Sequence, residues 1–69
     1  MEIASPMAGM LLRYSVGVGD AVAQGQEVAV IESMKMEVPV NASHAGTVSE
    51  LRAEVGGFVQ EGEPLVSLQ

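Results

Sequence analysis

The sequence predicts an all-β fold, a small sandwich or flattened barrel. Three observations predict it. Apolar residues fall in short runs broken by glycine, with no sustained 3.6-residue period. Turn residues recur every several positions, which leaves no stretch long enough for an ordinary helix. The two halves of the chain also repeat one another.

Residues 9–14, 21–23, 27–32, 37–41, 46–51, 58–60 and 64–68 read as strands. Between them, Gly17-Val18-Gly19-Asp20, Gln24-Gly25-Gln26, Ser43-His44, Gly56-Gly57 and Glu61-Gly62-Glu63-Pro64 read as turns. Val28 and Val30 alternate with Ala29, and Val38 and Val40 with Pro39, the pattern of half-buried strands. Proline cannot donate to a ladder, so the strand holding Pro39 is expected at a sheet edge or with its amide side open there.

The repeat needs no gap. Shifted by 37 positions, Ala8-Gly9 falls on Ala45-Gly46, Val18-Gly19 on Val55-Gly56, Val22 on Val59 and Gly25 on Gly62. Val28-Ala29 falls on Leu65-Val66 and Ile31 on Leu68. Matched glycines mark positive φ or close backbone approach, and matched aliphatics mark the core. Two similar strand–turn–strand units packed face to face and related by a pseudo-twofold axis are expected.

The 69 residues are expected to form a single domain, 1–69. A domain of this size buries only about 60% of the surface of its unfolded chain. There is no cysteine and one histidine, so neither a disulfide framework nor a Cys/His zinc site is available. Stability must come from an aliphatic core, since Tyr14 and Phe58 are the only aromatics. The net charge of −6 argues against nucleic acid and against anionic lipid as partners. No secretory signal or apolar membrane span is evident, and cysteine is absent, so a cytoplasmic location is expected. No catalytic constellation stands out. His44 lacks a nucleophile partner and reads as a turn residue, and Gly17-Val18-Gly19 lacks the further glycine of a dinucleotide loop.

Between the repeats runs Glu32-Ser33-Met34-Lys35-Met36-Glu37. Apolar strands lead in and out of it, which puts Met34-Lys35 at a tight hairpin tip. Neither residue is a natural choice there, because two-residue hairpins favour Asn-Gly or glycine-containing pairs. A local rule broken in an otherwise consistent sequence points to function. Lys35 is the only lysine. Met34 and Met36 bracket a charged tip, where core filling is poorly served, and exposed methionine suits a surface gripped by another protein. Glu32 and Glu37 either keep the hairpin soluble or pair with Lys35 for well under ~1 kcal/mol.

This run resembles the attachment motif of the biotinyl/lipoyl attachment domain family, in which a Met-Lys-Met tripeptide carries the modified lysine. Ser5-Pro6-Met7-Ala8-Gly9 resembles the segment that opens those domains, Ala45-Gly46-Thr47-Val48 the segment after their hairpin, and Gly62-Glu63-Pro64-Leu65 their closing strand. The likeness covers essentially the whole chain. Ser33 stands where alanine is usual, as in small stand-alone biotin/lipoyl attachment proteins and short biotin carboxyl carrier proteins. Gly9 to Gly19 matches Gly46 to Gly56 in length, so the protruding thumb of some bacterial carriers is expected to be missing.

The resemblance implies a flattened barrel of two four-stranded antiparallel sheets with Lys35 on an exposed hairpin. It implies a non-catalytic carrier. A biotin protein ligase would join biotin to Lys35, recognising Glu32, Ser33, Met34 and Met36. The biotin would then carry a carboxyl group from a biotin carboxylase to a carboxyltransferase. A free lysine amine has a pKa of about 10.4, so the ligase must remove its proton. A lipoyl carrier, or a dual biotin/lipoyl acceptor, is the main alternative: lipoyl domains usually show Asp-Lys-Ala at the tip, but often carry glutamate three residues before the lysine, as Glu32 is here. An unmodified β interaction module is the alternative of a different class.

Overall fold

The computed structural model describes residues 1–69. It contains eight strands: β1 (Glu2–Ala4), β2 (Gly9–Tyr14), β3 (Ala21–Val22), β4 (Glu27–Ser33), β5 (Met36–Asn41), β6 (Gly46–Leu51), β7 (Phe58–Val59) and β8 (Pro64–Leu68). They form two four-stranded antiparallel sheets, ordered β1-β8-β6-β3 and β5-β4-β2-β7. The all-β expectation holds, and the seven strands read from the sequence are all present. The eighth, β1, is three residues long with one buried side chain, Ile3, too short to show a pattern.

The repeat is reproduced pair by pair. In the β2–β4 ladder Leu11 faces Ile31, Arg13 faces Val30 and Tyr14 faces Ala29. Thirty-seven residues on, in the β6–β8 ladder, Val48 faces Leu68, Glu50 faces Ser67 and Leu51 faces Val66, with the bulge in the matching place. Turns follow suit: Gly25 N–H donates to the Ala42 carbonyl and Gly62 N–H to that of Ser5, both at 2.8 Å. Gly19 and Gly56 have φ of 94° and 88°, and Gly25 and Gly62 have 86° and 84°. Those four are the positive-φ glycines. Each sheet draws two strands from each half, so the halves interlock rather than pack as separate units.

Ile3, Leu11, Val28, Ile31, Val40, Val48, Val59, Leu65 and Val66 lie between the sheets, all buried. Two expectations about the strands meet different fates. Pro39 does sit on an edge strand, β5, opposite Val30 of β4. β4 is not half-buried, however: Val28, Ala29, Val30 and Ile31 are all buried. A bulge between Glu27 and Ala29 breaks the strict alternation. Val30, outside the central cluster, is flanked on the outer face by Arg13 and Pro39.

Two contacts tie the layers together. A Cβ on Gly9 would lie 2.5 Å from the Glu32 carbonyl oxygen and 2.6 Å from Ile31 Cγ2, so β2 meets β4 where only hydrogen fits. Tyr14 reaches across to the second half. Its hydroxyl accepts from Ala53 N–H at 3.1 Å, and its single proton lies between the carbonyls of Ala53 at 2.8 Å and Leu65 at 3.0 Å. Burial raises the phenol above its ordinary 10.0, against a smaller lowering by the Ala53 hydrogen bond.

Gly9→Ala is therefore expected to cost about 1–3 kcal/mol, read as a lower denaturation midpoint. Its repeat partner Gly46, whose Cβ would meet atoms at 3.2–3.4 Å, should lose less on the same change. Tyr14→Phe should cost about 1–2 kcal/mol by stranding the Ala53 and Leu65 groups. Because the folded state favours the neutral phenol, the Tyr14 contribution is complete below pH about 10 and is lost as pH rises beyond it. Melting curves across that range should fall more steeply for the wild type than for Tyr14→Phe.

Candidate functional site

The site is built by the β4–β5 hairpin. Ser33 and Met36 form its last facing pair, so the loop is only Met34 and Lys35. Met34 has φ 53° and Lys35 φ 65°, the only non-glycine residues with positive φ. Positive φ at both central positions is what a type I′ turn requires, and it matches the right-handed twist of the strands it joins. Each residue held there costs about 1–2 kcal/mol relative to ordinary backbone. The tight tip expected from the sequence is thus present, and it is strained.

The strain presents the side chains. Met34 is 92% exposed and Met36 68%; Lys35 is exposed too. Met36 shares the parity of Val38 and Val40, which face inward, but lies beyond the last layer of the core. Ser33, facing it across the ladder, is half-buried. Glu32 and Glu37 face each other on the outer surface of the sheet.

Lys35 forms no ion pair, which corrects the pairing with Glu32 or Glu37 entertained from the sequence. Glu37 instead accepts from Arg13 of β2 at 3.3 Å, with both side chains exposed. An exposed pair of this kind contributes about 0–1 kcal/mol. No cavity is present in the molecule. Lys35 carries the one side-chain amine of the chain.

The opening segment also finds a role. Ser5 is buried, and its hydroxyl donates to the Met7 carbonyl at 2.5 Å, closing the turn through Pro6. That turn leads the chain into Gly9, the glycine pressed against Glu32. His44 lies in the bend between β5 and β6, with Nδ1 2.8 Å from Ser43 Oγ.

The sequence reading passed over Met10 and Phe58. They face each other across β2 and β7, exposed, and Met10 also faces Glu32. A signal was present in the repeat: Met10 aligns with Thr47 and Phe58 with Ala21.

Two interlocked sheets that present a single lysine on a strained hairpin define a prosthetic-group attachment domain. Comparison with known proteins agrees. A biotin/lipoyl family model, described as biotin-requiring enzyme, matches residues 1–68. The chain belongs to the biotin/lipoyl attachment family. It is 46% identical over 68 residues to the biotin/lipoyl attachment protein of Bacillus subtilis, covering 99% of this chain and 93% of that one. It is 48% identical over 65 residues to the mitochondrial propionyl-CoA carboxylase alpha chain of Homo sapiens, covering 94% of this chain but 9% of that one. Among solved structures, the Kluyveromyces lactis urea carboxylase superposes with a TM-score of 0.92 at 29% identity, over 100% of this chain and 6% of that one.

Relief of the turn strain is measurable. Met34→Gly should raise stability by roughly 0.5–1 kcal/mol, because glycine accepts positive φ freely. Met34→Val should lower it by about 1–2 kcal/mol, because a β-branched residue resists that conformation. Chemical denaturation of the two variants checks both signs.

Proposed function

We propose that this protein is a biotin carboxyl carrier in which Lys35 is the attachment residue. One observation carries the assignment: the only lysine stands, unpaired and exposed, at the tip of a hairpin held in left-handed conformation. The description of its family, biotin-requiring enzyme, supports biotin as the group attached.

Loading follows from the amine. A biotin protein ligase brings a biotinyl adenylate to the hairpin and takes a proton from Lys35 Nζ. The Nζ lone pair then attacks the acyl carbon, AMP leaves with the electrons of the acyl–phosphate bond, and Nζ releases a second proton as the amide forms. One positive charge is lost, and the domain becomes more acidic. Attached biotin supplies a ureido ring that takes up and releases a carboxyl group. The protein itself provides no catalytic group. Its contribution is delivery: the carried group is held near its enzymes at an effective concentration set by the attachment. Met34, Met36, Glu32 and Ser33 are the recognition residues for the ligase. A biotin carboxylase and a carboxyltransferase are the partners that use the loaded domain. Residues 1–69 act as one carrier domain, and the cytoplasm is its compartment.

Lipoate is the second reading, favoured by Glu32 three residues before the lysine and by the name of the Bacillus subtilis relative. The intact mass of protein from its native host distinguishes the two. A biotinyl increment that disappears in Lys35→Arg is expected. A lipoyl increment on Lys35 transfers the role to acyl or electron carriage, and an unmodified lysine in cells with active ligases leaves only an interaction module. Met34→Leu with Met36→Leu should keep the fold but slow ligase or carboxyl transfer about fivefold or more. Unchanged rates would reduce the methionines to spacers.

A further inference from the structure

The repeat supplies an internal control. At several positions the fold constrains, the halves carry the same residue: Gly9 with Gly46, Val22 with Val59, Gly25 with Gly62. Even the exposed turn valines agree, Val18 at 65% and Val55 at 59% exposure. On the outer faces they disagree. One row across the sheet that holds the hairpin reads Glu37, Glu32, Met10, Phe58, each facing the next on adjacent strands. In the other sheet, Met10 and Phe58 are replaced by Thr47 and Ala21, which face each other in the same register. The fold thus accepts small or polar residues at these positions. The large apolar pair occurs only beside Lys35.

Stability does not account for two features of this row. Phe58 is 65% exposed and Met10 42%, so folding gains little from burying Phe58 and only part of what Met10 offers. Glu32 and Glu37 are like charges directly opposite on neighbouring strands, an unfavourable arrangement relieved only by Arg13 at Glu37. A surface that combines an apolar pair with an adjoining acidic pair complements a partner with an apolar centre and a basic rim.

We infer that the Met10–Phe58 pair, with Glu32 and Glu37 beside it, is the docking face for the biotin protein ligase. This rests on the carrier role of Lys35 proposed above. Geometry singles out the ligase among the enzymes a carrier meets. It must bring its acyl donor to bonding distance of Nζ, so it must seat on the hairpin and the sheet that continues from it. The enzymes that act on attached biotin meet a ring carried beyond Nζ, so contact with this face is not a condition of their chemistry.

The experiment is steady-state loading of the apo protein by the host's biotin protein ligase, with biotin and ATP. Met10→Thr with Phe58→Ala, the residues of the other sheet, should raise KM for the protein about tenfold, with kcat within twofold and the circular-dichroism melt retained. Phe58→Gln, a single change at an exposed position, should raise KM in the same direction if the double variant folds poorly. Val18→Ala, on the repeat turn away from this face, should leave KM unchanged. Added salt should raise KM for the wild type more than for Glu32→Gln. The inference is overturned if the double variant and Phe58→Gln load with the KM of the wild type. It is equally overturned if loading is normal and only later carboxylation slows, which gives the face to the carboxylase. A wild-type protein that takes no biotin on Lys35 sinks the carrier role itself, an outcome distinct from both.

Discussion

The register between β2 and β4 is the constraint on which the rest of this structure depends. Gly9 sits so close to the Glu32 carbonyl that no other residue fits without movement. From that contact, Leu11 falls opposite Ile31 inside, and Met10 falls opposite Glu32 outside. Side chains alternate with a period of two, so a slip of one residue would turn Leu11 out and Met10 in. The same register sets where β4 ends, and therefore where the hairpin begins. Lys35 stands at the tip because β4 and β5 run out of partners at Ser33 and Met36.

The chain is built twice and used once. Matching ladders, bulges and positive-φ glycines recur at a spacing of 37 residues, so the half without the lysine shows what the fold alone requires. Departures from it carry a different meaning. Met34 and Lys35 have no counterparts within the chain. Tyr14, paired with Leu51 in the repeat, trades an aliphatic group for a hydroxyl that binds Ala53 and Leu65. Strain at the tip is local to two residues, and the aliphatic core beneath is unaffected by it.

Much of this was legible from the residues. Glycine spacing and short alternating runs marked seven of the strands, because each carries at least one inward aliphatic. β1 was missed because Glu2-Ile3-Ala4 is too short for a period to emerge, although the repeat lays it over Pro39-Val40-Asn41 of β5. The burial of Val30 was missed because it arises from lateral cover by Arg13 and Pro39, a relation between strands that no single strand contains. The tip was legible because Met-Lys is an unnatural pair for a tight turn. Its freedom from ion pairs was not, since sequence proximity to Glu32 and Glu37 does not fix which charged groups meet. Met10 and Phe58 read as ordinary strand residues until the register set them side by side.

The interlocking of the halves has a consequence in time. Each sheet needs two strands from the second half of the chain, and β2 cannot be flanked until β7 exists. A nascent chain paused after β5 would have its hairpin made but its core open, with the aliphatic faces of β2 and β4 still uncovered. Non-local pairing of this kind forms late and all at once. An enzyme that requires the folded sheet as well as the lysine would thus ignore chains in which β7 and β8 have not yet paired, and the fold would act as its own proof of completion.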